Sequence, residues 1–439
     1  MRFNKPTIFF LFALHISLSG DLIAQEILTL DKAIQLGMEN NYDVKFTELE
    51  VSKARELNSL GEAGFLPTID ATGSYSESSQ DADLTFNDGG GISRTGAKST
   101  NLNAAITADW EVFDGTKMFI AKNKLEELEL AADLSLKIAA QNTLSGILLT
   151  YYQLSLEEQR LKVYEEITKV SEERVKLAES KSKIGSISGI ELSRAKVDFN
   201  GDQSALIQQR QTISELKTAL NVYIGRSAEI EFTTSDTAEL KEELIYDDLK
   251  QLLFNNNSLS LVDMNIRVAQ YEQKSIFADR LPSVRLNAAY TYAESTTEAG
   301  FVQANQNQGI TYGVTANIPI FNGFDLKRRN QISAINIDQR KIEYDQLKNS
   351  LVAQLLNTFQ LYSNNMKQIE FEKESKSLAK NNLEVSLKNY EVGGISSFDL
   401  RDIQIAYANA ENRYIEAVFN AKSAEIELLR ITDQLIETR

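Results

Sequence analysis

Three runs of this 439-residue chain hold residue types that do chemistry in other settings. "GISRTGAKS", residues 91 to 99, approaches a phosphate loop, in which a lysine directly after the last glycine reaches the phosphates cradled by backbone N–H groups. Here Ala97 separates Gly96 from Lys98, and no strand-to-helix setting surrounds the run. "GSISG" at 185 to 189 has the spacing of a nucleophile elbow, but its central residue is Ile187, and a nucleophile would need a base. The only histidine is His15. "DAD" at 81 to 83, with Asp88, offers carboxylates at a spacing poor for calcium, and a solvated acidic loop is the simpler reading. No cysteine exists to ligate a metal, close a disulfide or carry a lipid. The expectation is a protein that is not an enzyme and uses no metal and no cofactor.

One acidic pair lies beside a pair of glycines. Asp399 and Asp402 stand three apart in "EVGGISSFDLRD", residues 391 to 402, just beyond Gly393 and Gly394. Asp399 stands where it would cap a helix beginning after Ser396 and Ser397.

The elements that position this pair occur twice. "KIGSISGIEL" at 183 to 192, with Gly185 and Gly189, matches "EVGGISSFDL" at 391 to 400. "DWEVFDGTK" at 109 to 117 matches "NIPIFNGFD" at 317 to 325, pairing Phe113 with Phe321 and Gly115 with Gly323. Both matches span 208 positions. "FLPTIDATGSY" at 65 to 75 matches "RLPSVRLNAAY" at 280 to 290, aligning Pro67 with Pro282, and "LGMENNYD" at 36 to 43 loosely matches "LLFNNNSL" at 252 to 259. This is one long duplication, since a solenoid would repeat every 20 to 50 residues or so. We divide the chain into a first repeat over 25–230 and a second over 231–439.

Between 68 and 281 there is no proline, which permits very long helices. Leu144, Ile147, Tyr151, Leu154, Leu161 and Ile167 recur at mostly three-four spacing, as do Leu347, Leu351, Leu355, Phe359, Tyr362 and Met366. The pattern predicts long helical hairpins over 116–222 and 325–431, and a helix over 247–280. A helix from 116 to 180 would reach roughly 95 Å at 1.5 Å per residue, so it must pack sideways against comparable rods.

Four short segments alternate with period two instead: 68–76, 100–112, 283–293 and 309–320. In the first, Ile69, Ala71, Gly73 and Tyr75 are apolar or small and their neighbours polar; in the last, Ile310, Tyr312, Val314, Ala316 and Ile318 share a face. About ten alternating residues is the length of a tilted membrane-crossing strand. Polar loops are expected at 77–99 and 294–309, and aromatics such as Trp110, Phe113 and Phe321 gather at strand ends as at a membrane interface. Arg2 and Lys5, the run "TIFFLFALHISL" and small residues before Ala24 have the layout of a secretory signal over 1–24. The net charge of −16 argues against a nucleic-acid partner. In hydrocarbon every backbone polar group must be paired, so four strands cannot stand open, and copies of the chain must share a barrel. Two copies give eight strands and a lumen mostly filled by side chains, three give twelve and room for water, and the short polar side chains favour the wider tube. On this reading "LP" at 66–67 and 281–282, and "FDG" and "FNG", are where the chain crosses between membrane and helix.

With signal, duplication, junctions and paired hairpin tips in this order, the chain resembles the TolC-like outer-membrane efflux protein family over nearly its whole mature length, from "LTLDKAIQLGMENN" to "ELLRITDQL". The resemblance implies a mainly α fold with a membrane β-barrel portion: a homotrimer whose shared twelve-stranded barrel in outer-membrane lipid continues into a long periplasmic barrel of coiled-coil helices. It further implies a passive exit duct for small-molecule or metal efflux that receives cargo from an inner-membrane pump through a periplasmic adaptor, with the outer duct of a type I protein secretion system as the alternative. A soluble periplasmic coiled-coil scaffold is the reading from another class, and the alternating strands argue against it. The family's working parts lie at the hairpin tips, here Gly185 and Gly189, Gly393 and Gly394, which would meet the adaptor. Asp399 and Asp402 fall on its entrance carboxylates, and three copies around an axis would favour cations, a role compatible with the cap at Asp399. Tyr390 and Glu191 fall on positions that help hold the entrance shut, with Glu191 replacing the more usual aspartate. Ile395 stands where some members carry a basic partner, which implies a differently built latch.

Overall fold

The computed structural model describes residues 26–87, 89–235, 240 and 244–435. The expected signal over 1–24 and Asp88 of the acidic loop lie outside the described residues. The first repeat runs β1 (Glu26–Leu28), α1 (Leu30–Asn40), α2 (Tyr42–Leu57), β2 (Thr68–Thr85), β3 (Gly91–Phe113), α3 (Lys117–Lys183) and α4 (Gly189–Tyr223). The second runs β4 (Phe232–Thr234), α5 (Tyr246–Leu252), α6 (Asn257–Ala278), β5 (Ser283–Thr297), β6 (Ala304–Asn317), α7 (Asp325–Glu391) and α8 (Ser397–Ile431).

One asparagine in each repeat shows how closely the copies agree. Asn41 ends α1 and starts α2: its Oδ1 accepts from Asp43 N and Val44 N at 2.9 and 3.2 Å. Asn256 does the same for Ser258 N and Leu259 N, at 2.9 and 3.2 Å. Each amide then donates to the end of its repeat's last long helix, Asn41 Nδ2 to Tyr223 O at 2.9 Å and Asn256 Nδ2 to Ile431 O at 2.8 Å. Both are buried, where an unpaired amide would be costly. The structure therefore pairs Asn41 with Asn256, one residue away from the alignment that the flanking residues suggested. It also breaks the helix expected over 247–280: a 3-10 turn at Leu253–Asn255 precedes the cap, and α6 starts afresh.

The long helices match in length, 67 residues for α3 and α7 and 35 for α4 and α8. At 1.5 Å per residue the longer pair spans roughly 100 Å. Their apolar seams make the core. Around mid-rod, Ile147, Tyr151 and Leu154 of α3 meet Leu220 and Ile224 at the end of α4, under a lid made by the parallel pair β1 and β4. Tyr151, wholly buried, donates from its hydroxyl to Leu28 O at 2.8 Å. The counterpart cluster in the second repeat joins Leu355 and Tyr362 to Leu428 and Leu253.

The four longer strands form one antiparallel sheet in the order β2-β3-β5-β6, so β2 and β6 are its edges. Neither face is covered: on the apolar side Ile69, Tyr75, Ile310, Tyr312 and Val314 are all exposed. A soluble sheet would bury that side against another layer. The first ladder continues well past the alternating segment, through most of the loop expected at 77–99. Apolar alternation is needed only where one face meets hydrocarbon, and beyond it polar pairs take over. Ser78 and Ser99 share a hydroxyl bond of 2.8 Å, and Gly96 N donates to Asp81 Oδ1 at 2.7 Å. At the other end β6 stops at Asn317, short of the expected 320, because Pro319 has no N–H to give the ladder.

Candidate functional site

At the first hairpin tip Gly185 takes φ +74°, and Gly185 N and Ser186 N donate to Ser182 O and Lys181 O at 3.0 and 2.9 Å, tying off the last carbonyls of α3. Ser188 then caps α4 by accepting from Glu191 N at 3.3 Å, with Gly189 the first helical residue. The second tip repeats this with Gly393 at φ +81°, Gly394 N donating to Asn389 O at 2.7 Å, and Ser396 as cap. There the cap is reciprocal. Ser396 Oγ accepts from Asp399 N at 3.2 Å, while Asp399 Oδ2 accepts from Ser396 N at 3.1 Å and from its hydroxyl at 2.7 Å. The Ser396 hydroxyl, then its backbone N–H, hold the Asp399 carboxyl below the usual aspartate range.

Asp402 is exposed one turn further along the same face. It lines a cavity of about 160 Å³ together with Glu191, Arg194, Asp198 and Arg401. Arg194 lies over the ring of Phe398, 4.0 Å from its centre, and so links α4 to α8 beside the tips. Tyr390 goes elsewhere. It is buried between Leu383 and Leu400, with Lys181 Nζ 4.8 Å above its ring, and among the described residues no hydrogen bond joins it to Glu191. Ile395 packs against the same apolar cluster.

Sequence reasoning missed the strongest polar feature, a charged cluster buried just above the tips. Arg401 Nη1 and Nη2 donate to the two oxygens of Asp202 at 2.7 and 2.9 Å, and the Ser171 hydroxyl donates to the same carboxylate. Arg174, 2% exposed, donates to Asp198 Oδ2 at 2.5 Å and to Gln404 Oε1 at 3.0 Å. Burial works against the charge of Arg401, but the bonds and charge of Asp202 outweigh it and raise the guanidinium's pKa. Next along, the Tyr407 hydroxyl donates to Glu166 Oε2 at 2.9 Å, and burial together with that carboxylate raises its pKa. These bonds staple α3, α4 and α8 into one body. The available signal was Asp198 and Asp202, one helical turn apart on a helix otherwise expected to pack through apolar residues.

At the other end of the rods, each strand-to-helix junction is a double left-handed turn: Gly115 and Thr116 at φ +74° and +76°, Gly323 and Phe324 at +64° and +62°. Such turns redirect a chain within two residues, and non-glycine positions there are rare. Pro67 and Pro282 stand at the opposite crossings, directly before β2 and β5. Trp110 Nε1 donates to Phe65 O at 3.0 Å, fastening the first crossing. The second junction leaves Ile320, Phe321 and Phe324 exposed beside Arg280 and Lys327, around a shallow cavity of about 300 Å³.

A bare membrane-type sheet thus continues into paired rods whose tips carry carboxylates. The model of the outer membrane efflux protein family matches residues 33–226 and 249–433, one block in each repeat. The chain belongs to this family. It is therefore an outer-membrane efflux protein and not an enzyme. It is 20% identical over 414 residues to the toluene efflux pump outer membrane protein TtgC of Pseudomonas putida, covering 91% of this chain and 82% of that one. Among solved structures it resembles the CmeC outer membrane channel of Campylobacter jejuni with a TM-score of 0.77 at 14% identity, covering 92% of this chain and 85% of that one. It resembles CusC with a TM-score of 0.73 at 17% identity, covering 92% and 91%. These likenesses extend the family's fold over both repeats.

Proposed function

We propose that this protein is the outer-membrane duct of a tripartite efflux system, conducting cargo passively from periplasm to exterior. Three copies close a twelve-stranded barrel and stand their helical rods in a ring below it. The hairpin tips at Gly185, Gly189, Gly393 and Gly394 meet a periplasmic adaptor, which joins the duct to an inner-membrane pump. The observation that carries this reading is the four-stranded sheet bare on both faces and unpaired at both edges, continuous with rods roughly 100 Å long. In hydrocarbon those edges must be paired, and only closure with other copies pairs both at once. The name of TtgC supports small-molecule efflux as the cargo class.

Asp399 and Asp402 make the entrance cation-preferring, with Asp402 the freer of the two because the Asp399 carboxylate is already engaged by Ser396. Glu191 contributes to the closed entrance from the cavity it shares with Asp402, and Tyr390 from the buried apolar cluster, where it braces the tip. The test is electrical: the purified chain reconstituted in planar lipid films should conduct and prefer cations. The double variant Asp399→Ala, Asp402→Ala should lose most of that preference. A wild-type protein that leaves the films silent would overturn the duct. An unchanged preference in the variant would remove only the carboxylate entrance.

A further inference from the structure

The subunit contains one complete seam between its two repeats and shows both halves of a second seam, unfilled, at its outer edges. The inner seam sets β3 and α3 against β5 and α6. Its register can be carried over because the repeats superimpose by two constant shifts. Thr68 pairs with Asp109, and Ser283 pairs with Asn317, which lie 215 and 208 positions later. The Asn41 and Asn256 caps obey the shift of 215, and their acceptors Tyr223 and Ile431 that of 208. Thus β6 and α7 are the counterparts of β3 and α3, and β2 and α2 those of β5 and α6.

We propose that a second copy of this chain docks its β2 and α2 against β6 and α7 in the register of the inner seam, and that this joint lacks the inner seam's ion pairs, with Ile332 against Leu57 standing where Lys124 meets Glu272. The proposal rests on the closed-trimer reading and adds the residue pairing to it. The inner pair Ala108 and Ala288 becomes Ala316 against Gly73 of the next copy, and Trp110 with Leu286 becomes Ile318 against Ala71. Parity supports the transfer. Apolar residues sit at odd positions of β2 and even positions of β6, and this register sets odd against even, so the apolar faces join. A slip of one residue would put them on opposite sides.

Exposure points the same way. At the inner seam Gly115 is buried, a Cβ there would lie 2.6 Å from Ala278 O, and Val112 and Phe113 are each 36% exposed. At the outer edge Gly323 has nothing within 4 Å, while Ile320 and Phe321 are 95% and 74% exposed. The missing cover corresponds to Ala63 and Leu66 of the next copy.

The inner seam is ionic: Lys117 pairs with Asp279, Lys124 with Glu272 at 2.8 Å, Arg267 with Glu127 at 3.0 Å and Arg285 with Glu111 at 3.7 Å. Their counterparts are Asp325 with Gly64, Ile332 with Leu57, Ile335 with Ser52, and Pro319 with Asp70. Not one is an ion pair. Ile332, Ile335 and Leu57 are instead exposed apolar residues in the single subunit, the composition of a permanent joint between subunits.

The absence of cysteine makes the test clean. Chains carrying Ala316→Cys with Gly73→Cys should cross-link on oxidation into dimer and trimer bands, roughly tenfold more than Ala316→Cys with Ile69→Cys, whose partners would be too far apart to bridge. Separately, Ile332→Lys should weaken the trimer, and adding Leu57→Glu should restore it by rebuilding the counterpart of the Lys124–Glu272 pair. A trimer that cross-links through Ile69→Cys or through neither pair, or one that Leu57→Glu fails to rescue, overturns the register while the trimer stands. A chain that is monomeric in detergent overturns the trimer and the joint together.

Discussion

The helices α3 and α7 have the same length and the same place in their repeats, yet they live in different surroundings. The first is packed by α1, α2, α4, α6 and α8, and buries Ile147, Tyr151 and Leu154 completely. The second has α5, α6 and α8, and leaves Ile332, Ile335, Ile342 and Phe371 in the open. Duplication wrote the long helices and the four longer strands twice, but a single chain completes the contacts between repeats only once. The charged cluster sharpens the difference. Counterparts of Asp198, Asp202 and Arg174 are Ala406, Ala410 and Asn382, so the staple above the tips exists within the subunit and has no equivalent at the outer edge.

The largest effect should follow from breaking that staple. Asp202→Ala leaves Arg401 partly buried without its carboxylate and frees the Ser171 hydroxyl, at a cost of about 3 kcal/mol. Hydrogen exchange should show the lower halves of α4 and α8 opening, with mid-rod amides unchanged. Uniform destabilisation would mean that the cluster is not a local device. The junction glycines come next. Gly115→Ala puts a methyl group 2.6 Å from Ala278 O in addition to the left-handed penalty, together about 3 kcal/mol, and should lower the yield of protease-resistant subunit. Gly323→Ala meets nothing within the subunit and adds only the backbone penalty of about 1 kcal/mol there, so its damage should appear at assembly.

What the sequence made legible were features that local chemistry enforces. Proline and glycine mark the crossings and tips, period two marks the strands, and the long proline-free stretches mark the rods. Less legible was anything set by which helices become neighbours. Arg174 and Gln404 are 230 positions apart, and nothing near either residue names the other. The ends of the ladders were misjudged because apolar alternation reports a hydrocarbon face, whereas backbone pairing continues without it between Ser78 and Ser99. The break before α6 was hidden because Asn256 reads as an ordinary polar helix residue until its amide is seen reaching Ile431 O. At the tips, Asp399 and Asp402 were readable through the family resemblance, but the engagement of Tyr390 under Lys181 was not, since it depends on the last turns of α3 and α7 coming together there.

The two asparagine caps test whether the repeats are equal where both are complete. Asn41→Ala and Asn256→Ala each remove two bonds accepted from the following helix and one donated to a buried helix end, for about 2 kcal/mol apiece, and Asn41→Ala loses in addition a long bond of 3.4 Å from the Thr143 hydroxyl. Denaturant midpoints of the two variants should fall by similar amounts. A cost confined to Asn41 would mean that the second repeat's hold on α8 is carried elsewhere.

The smallest effect compares the tips themselves. Ser188 caps α4 through Glu191 N alone, whereas Ser396 and Asp399 cap each other. Because the Ser396 bonds depress the Asp399 carboxyl, its share of the cap is fully present above the ordinary aspartate value of ~4 and is lost as pH falls through the depressed one. First-turn amides of α8 should therefore stay protected through the range where free carboxylates protonate and become labile only below it. Asp399→Asn should abolish that step, since an amide keeps an acceptor but does not titrate. If the wild-type step instead came at the ordinary value, the reciprocal cap would not persist in solution, and Asp399 would face the entrance as freely as Asp402.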